Sequence, residues 1–450
     1  MTMHMTWPLM AVMLLTVAFV IGVGIFQSRK VRSAEGYSVG GRSAGVPMVA
    51  GGIAGTVGTA QLAYSVGLSA WWFTLGSGIA FILMGIFYAQ KMRSTGLSTI
   101  PQFLGMHYGR RAERLSSVIS SIGILLSAVA SCLPGMEIIS SIFGVGELPA
   151  AIILMTLVAA YTFFGGMKSA AIGGILKMAV IWLSLFVCGF EAYEVLASSS
   201  VAIPPSHLDL FGRGFEVSMS NLFSMIVGVL CTQTYIQCIF SADTPITAAA
   251  GCITAALIVI PVGLPSVAVG MYMSAFDPNV VPVLTLPTYF TNHASFLVGG
   301  LAMGGIVLSL ISSIGGLSLG IGTMLVTDIL MPILHLQDDK ALLRLTKISV
   351  LSVMAAACVI AAMNRGTQVL FWNYLSMGLR GGGIFLPLTL SVFFPEHLKR
   401  GWAVLSMAGS TVAAILAVVL HLPIDSLFAG LIVSVLLILP GLRLKKVDGE

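Results

Sequence analysis

Charge is what this chain has least of. Only 9% of its 450 residues are Asp, Glu, Lys or Arg, while 57% are hydrophobic; soluble domains carry roughly 25% charged residues. No polar block long enough to fold in water separates the apolar runs. This excludes a soluble catalytic or nucleic-acid-binding domain and leaves one polytopic helical membrane domain over residues 1–450. Cysteine is also scarce. Cys132, Cys188, Cys231, Cys238, Cys252 and Cys358 all fall in apolar stretches without C-x-x-C spacing. A disulfide framework and a zinc site are thereby excluded, and core packing is the role that remains. No nucleophile–base arrangement, P-loop or metal cluster is present, so neither an enzyme nor an organic cofactor is expected.

What the chain does have is long apolar runs. Thirteen spans are read, near 7–26, 45–66, 70–90, 115–142, 148–165, 172–196, 217–240, 248–274, 295–327, 345–364, 368–394, 401–420 and 424–442. The first is read as a retained helix rather than a signal peptide, because no Lys or Arg precedes it and Arg29, Lys30 and Arg32 follow it. Alternate loops sort the basic residues. The inner loops and tail take Arg29, Lys30, Arg32, Arg42, Lys91, Arg93, Arg110, Arg111, Arg114, Lys168, Lys177, Lys340, Arg344, Lys347, Lys399, Arg400, Arg443, Lys445 and Lys446. The outer loops take only Arg213 and Arg365, and Arg380 alone lies within a span. Nineteen against two predicts a multi-pass plasma-membrane protein with its N-terminus outside and its C-terminus in the cytoplasm.

Polar residues inside the spans carry the functional signal. Ser309, Ser312 and Ser313 are spaced i, i+3, i+4 and share one helical face. A hydroxyl oxygen suits a dehydrated alkali cation, and equally a back-bond or close helix packing. The second span crowds Gly51, Gly52, Gly55 and Gly58 before Thr59 and Gln61. Each Gly costs about 1 kcal/mol against Ala in a helix, so unwinding or close packing is expected there. The seventh span matches it, with Gly228 ahead of Thr232, Gln233, Tyr235 and Gln237. Two interrupted segments five spans apart are what an inverted five-helix repeat would bring face to face.

With YSVGGRSAG at 37–45, STIPQFLGMHYG at 98–109, YTFFGGMKSA at 161–170, Ser312–Ser313 and Thr327 to Ile329, the chain resembles the sodium:solute symporter family of proline, pantothenate, sugar and sialic-acid carriers. The resemblance covers nearly the whole chain. It implies an all-α integral membrane fold of the leucine-transporter type. Residues 7–26 would form a leading helix, 45–196 and 217–394 two inverted five-helix repeats, and 401–442 two trailing helices. It also implies a sodium site formed by the carbonyls of Ala54, Val57 and Ser309 and the hydroxyls of Ser312 and Ser313, with Na+ as the coupling ion. Two departures follow. Gly174 stands where members holding a second sodium often have Asp, so one sodium per cycle is expected. Gln237–Cys238 replaces the usual Gln–Arg pair, so a gating ion pair through that Arg is missing.

Substrate ligands are expected between the broken helices. Thr56, Thr59 and Gln61, then Glu137, then Thr232, Gln233 and Tyr235, and finally Asn373, Tyr374 and Arg380 are the candidates. Gln61 and Gln233 could equally bridge helices, and Tyr235 could equally be a gate. An ionisable group in a span costs at least about 2.5–3.5 kcal/mol, which marks Arg380 and Glu137. Arg380 either holds a carboxylate substrate bidentately or pairs internally with Glu137; both readings stand. The sequence therefore predicts a sodium-coupled importer of a small polar or anionic solute, working by alternating access in a lipid bilayer, with no nucleic acid and no obligatory protein partner. A proton-coupled carrier using Glu137 is the alternative within the fold. A solute sensor is the alternative outside it, disfavoured because the chain ends about eight residues past the last span.

Overall fold

The structure, a computed structural model, describes residues 5–28, 33–53, 58–201, 203–335, 338–364, 367 and 369–442. The apolar runs fold as helices because a backbone N–H or C=O left unpaired in hydrocarbon costs several kcal/mol. No strand occurs among the described residues. The longer helices are α1 Trp7–Ser28, α2 Val46–Ile53, α3 Gly58–Val66, α4 Trp71–Leu83, α5 Ile100–Tyr108, α6 Arg110–Phe143, α7 Glu147–Ser198 and α8 Phe215–Leu230. They continue as α9 Gln233–Ser241, α10 Pro245–Phe276, α11 Thr285–Asn292, α12 Phe296–Met324, α13 Asp339–Met363, α14 Val369–Phe393, α15 Arg400–Val419 and α16 Ser426–Ile438. Several begin on side-chain caps. Thr99 accepts from the Gln102 N–H, Thr244 from the Thr247 N–H, and Asp338 from the N–H groups of Lys340 and Ala341.

α12 lies at the centre of the bundle, packed by α1, α6, α7 and α13. Its middle is buried on all sides, from Gly299 to Ile311 almost without interruption. The outer helices instead expose large apolar side chains such as Leu15, Leu183, Leu257, Val359, Val419 and Leu436. Such faces need lipid, not water.

Length and apolarity single out nine membrane-crossing helices among the described residues, or ten if one bent pair counts as a span. The other expected spans fall on shorter or interrupted segments. Glu147–Thr162 and Ser426–Gly441 are short apolar helices, α8 and α9 bend by 47° at their junction, and α2 and α3 flank residues 54–57. Those four residues lie outside the described ones, and with them Ala54, Thr56 and Val57. The α8–α9 break is a real interruption: Thr232 is extended, at φ −90° and ψ 110°, and its hydroxyl donates to the Gly228 carbonyl that the bend leaves free (2.6 Å). The starts of α2 and α10 are tied across by a bridge in which Ala44 N–H donates to Ser241 O and Asp243 N–H to Ala44 O, both at 3.0 Å.

α7 is two helices joined at Gly166, whose φ of 52° and ψ of −147° suit glycine alone. Space forbids a side chain as well, since a Cβ there would stand 2.4 Å from the Tyr37 carbonyl oxygen. Gly166→Ala is expected to destabilise the protein by at least about 1–3 kcal/mol, read as a lower melting temperature in detergent.

Candidate functional site

Helices α3, α4, α6, α7, α8, α9, α12 and α14 enclose a cavity of about 280 Å³ in the middle of the bundle. Gln61, Ser77, Ser127, Ser131, Lys177, Thr232, Thr234, Tyr235, Ser309, Ser312, Ser313, Asn373 and Arg380 give it its polar lining, and Phe73, Phe81, Met225 and Met377 are among its apolar walls. Among the described residues no carboxylate lines it. Pro282, Val283, Leu286 and Pro287 border one end.

The other end is shut by hydrogen bonds. Gln233 accepts from the Ile100 N–H (2.8 Å) and donates to the Ser98 carbonyl (3.1 Å), fastening α9 to α5. Gln237 donates to the Ser38 carbonyl and to Thr323 Oγ1 (3.2 Å). Thr99 Oγ1 lies 3.0 Å from both carboxylate oxygens of Asp328, to which Thr327 also donates at 2.7 Å. The side-chain amide of Gln237 thus fastens the same end.

Arg380 reaches the cavity from α14 and is only 3% exposed. Its Nη1 donates to Thr232 Oγ1 (2.9 Å), its Nη2 to Ser127 Oγ (3.3 Å) and its Nε to the Ser376 carbonyl (3.2 Å). The Ser127 and Ser376 hydroxyls are 2.7 Å apart, and Ser376 passes its own proton to the Gly123 carbonyl. Gly123 is required there, because a Cβ would lie 2.4 Å from Arg380 Cγ. A guanidinium has five N–H donors, so this cradle of neutral oxygens leaves donors for a ligand.

Of the two readings left open for Arg380, the internal pair with Glu137 is not formed. Glu137 is exposed on α6 and does not line the cavity, whereas Ser127, Ser131, Pro134 and Ile138 of the same helix do. A helix can aim only one face inward, and Glu137 falls outside that register. Gln233 is a helix bridge rather than a cavity residue, fully buried in the seal. Thr59 is fully buried, away from the cavity lining, with no hydroxyl partner among the described residues. Gln61, Thr232, Tyr235, Asn373 and Arg380 are brought together, with Tyr235 set edge-on against Phe81 at 5.4 Å. The side chain of Tyr374 lies outside the described ones.

Of the expected sodium ligands, Ser309, Ser312 and Ser313 line the cavity from α12. Ser312 Oγ donates to the Ser309 carbonyl (3.1 Å) and accepts from Lys177 Nζ (2.6 Å). Lys177 is thus no inner-loop residue. It sits inside α7, 6% exposed, against the hydroxyl face. Its place five residues inside the expected span 172–196 was the available signal, masked by counting it with the loop charges. Ser127 and Ser376 carried a weaker one: Ser376 is one helical turn before Arg380, but Ser127 comes from a distant helix.

A helical membrane bundle with a bent helix pair around a polar, mid-bundle cavity sealed at one end is the architecture of a secondary transporter. The chain belongs to the Sodium:solute symporter family, whose sequence profile matches residues 34–409. It is a multi-pass membrane protein of the sodium-coupled symporter class, not an enzyme. A Staphylococcus aureus sodium/proline symporter is 26% identical over 458 residues, covering 92% of this chain and 88% of that protein. The high-affinity choline transporter 1 of Caenorhabditis elegans is 24% identical, over 91% of this chain and 77% of that one. In fold, the chain matches the substrate-bound outward-open state of a Na+-coupled sialic acid symporter, with a TM-score of 0.80, 17% identity and 97% of both chains covered.

The seal makes its own prediction. Gln233→Met keeps the volume but strands the Ile100 N–H and Ser98 carbonyl, at a cost of about 1–3 kcal/mol. A lower melting temperature and faster mixed-disulfide formation at Cys238 by a methanethiosulfonate reagent, with methanesulfinate as leaving group, are expected, the latter read by mass spectrometry.

Proposed function

We propose that this symporter imports a small organic anion, a carboxylate, together with one sodium ion per cycle. The observation carrying this reading is a buried guanidinium, Arg380, on a cavity that no carboxylate lines among the described residues. Lys177 adds a second cationic side chain to the same walls. A positive charge in a low-dielectric interior attracts an anion far more strongly than in water, and guanidinium matches carboxylate bidentately. Choline, named for one relative, would meet two cations there and, among the described residues, no acidic partner. A volume near 280 Å³ is at the small end of ligand pockets, which run roughly 300–1,000 Å³.

Sodium is the co-substrate. The Ser309 carbonyl and the Ser312 and Ser313 hydroxyls form one side of its site, with the Ala54 and Val57 carbonyls completing it. Gln61, Thr232, Tyr235 and Asn373 surround the solute, and Thr56 and Tyr374 are further candidate ligands. Sodium orders the broken-helix backbone and so raises solute affinity, a coupling of about 1–3 kcal/mol, and an inside-negative potential adds about 2.3 kcal/mol per charge per 100 mV. The positive-inside rule supports a reading in which the Thr99–Asp328 seal is cytoplasmic, the cavity faces outward and the N-terminus lies outside. Alternating access then consists of opening that seal while the Pro282 end closes.

Uptake into proteoliposomes tests both parts. Arg380→Gln is expected to lower uptake of the transported acid by about 30-fold or more, in line with loss of a buried charge-assisted pair of about 2–5 kcal/mol. Stabilisation of the wild type by cationic solutes and not by carboxylates, in a thermal-shift screen, would refute the anion. The double variant Ser312→Ala, Ser313→Ala is expected to lose sodium-stimulated uptake while keeping its fold by circular dichroism. Uptake undiminished when N-methylglucamine replaces sodium at constant pH would refute sodium coupling.

A further inference from the structure

Lys177 is the group that transport of an anion with sodium does not by itself require. Its Nζ donates to Ser312 Oγ at 2.6 Å, and Ser312 sends its own proton to the Ser309 carbonyl. The hydroxyl oxygen therefore turns its lone pairs toward the ammonium, which occupies an oxygen that a sodium ion at the α12 face would also need. The two cations have equal charge and similar demands. Seated together they would stand within a few ångströms in a low-dielectric interior, with no carboxylate lining the cavity among the described residues to offset either. Among the described residues, the other titratable or charged groups facing the same cavity are Cys238 and Tyr235 from α9 and Arg380 from α14, and the last adds to the repulsion.

We propose that the Lys177 ammonium is an internal competitor of sodium, holding the Ser312 hydroxyl while the ion is absent and swinging into the cavity when the ion binds. The inference rests on the sodium site proposed above. Its stem of four methylenes gives the ammonium the reach to move without moving α7. Once displaced, it stands on the walls that Arg380 already shares, so sodium entry adds a positive charge to the place an anionic solute occupies. Ion and solute are then linked by a side chain as well as by backbone order, and the sodium-free transporter keeps a filled cation position instead of an empty polar one.

The test uses the purified full-length protein in nanodiscs, with the sodium dissociation constant read from thermal shifts in NaCl against KCl at fixed ionic strength and pH. Lys177→Met and Lys177→Gln are expected to bind sodium about tenfold or more tightly than wild type, while Lys177→Arg, which keeps the charge, stays within about threefold. Wild type that responds to sodium with neutral variants that bind it no more tightly overturns the competition and leaves sodium coupling standing. Wild type indifferent to sodium with neutral variants that gain a response shows the ammonium holding the site throughout; competition then stands and native sodium coupling falls. A response in none overturns both. Where the neutral variants do not fold, acylation of Lys177 by acetic anhydride in wild type decides, read by mass spectrometry. Faster modification in sodium than in potassium supports displacement, and equal rates overturn it.

Discussion

Positive charge held in the bundle by neutral oxygen is the constraint that organises this molecule. Arg380 and Lys177 are both buried, and their described partners are hydroxyls and carbonyls: Ser127, Thr232 and the Ser376 carbonyl for one, Ser312 for the other. Burying an ion without an opposite charge is costly unless dipoles replace its hydration shell. The surrounding helices are placed to supply those dipoles. α6 brings Ser127, the α8–α9 break brings Thr232, and α12 brings its serine face. A cavity built in this way is short of negative charge, and that shortage is what an anionic cargo would answer.

The broken helix serves two tasks at once. Interrupting α8 and α9 lets Thr232 turn its oxygen toward Arg380 while its proton satisfies the Gly228 carbonyl freed by the bend. Immediately beyond, Gln233 and Gln237 on α9 face the other way and fasten the closed end to α5, Ser38 and Thr323. One short helix therefore touches both the ligand cavity and the seal, so movement of α9 affects the two together. Neutral amide bonds and the Thr99–Asp328 contact make the closure. Hydrogen bonds of this kind exchange readily with water, which suits the proposed opening of that end in each cycle.

Much of this could be read from the chain. Apolar runs interrupted by glycine announced a helical membrane bundle, and the spacing of Ser309, Ser312 and Ser313 announced a polar face that does line the cavity. Arg380 stood out as a charge inside a span and proved to be buried on that cavity. Glu137 stood out in the same way and points elsewhere, because hydropathy registers depth in a helix and not the direction a side chain takes around it. Gln233 was ambiguous between ligand and bridge; its neighbours on α5, more than a hundred residues away in sequence, make it a bridge.

Sequence alone determined what must be buried in lipid, since a run of apolar residues has one favourable solvent and its backbone one way to be satisfied there. It determined the family too, because the motifs that carry it are local. Which polar side chains meet was decided only by tertiary structure. The Lys177–Ser312 contact joins residues on two helices 135 positions apart, and the Arg380 cradle joins three. Such meetings depend on how whole helices rotate and cross, a property of the packed bundle that no single segment contains.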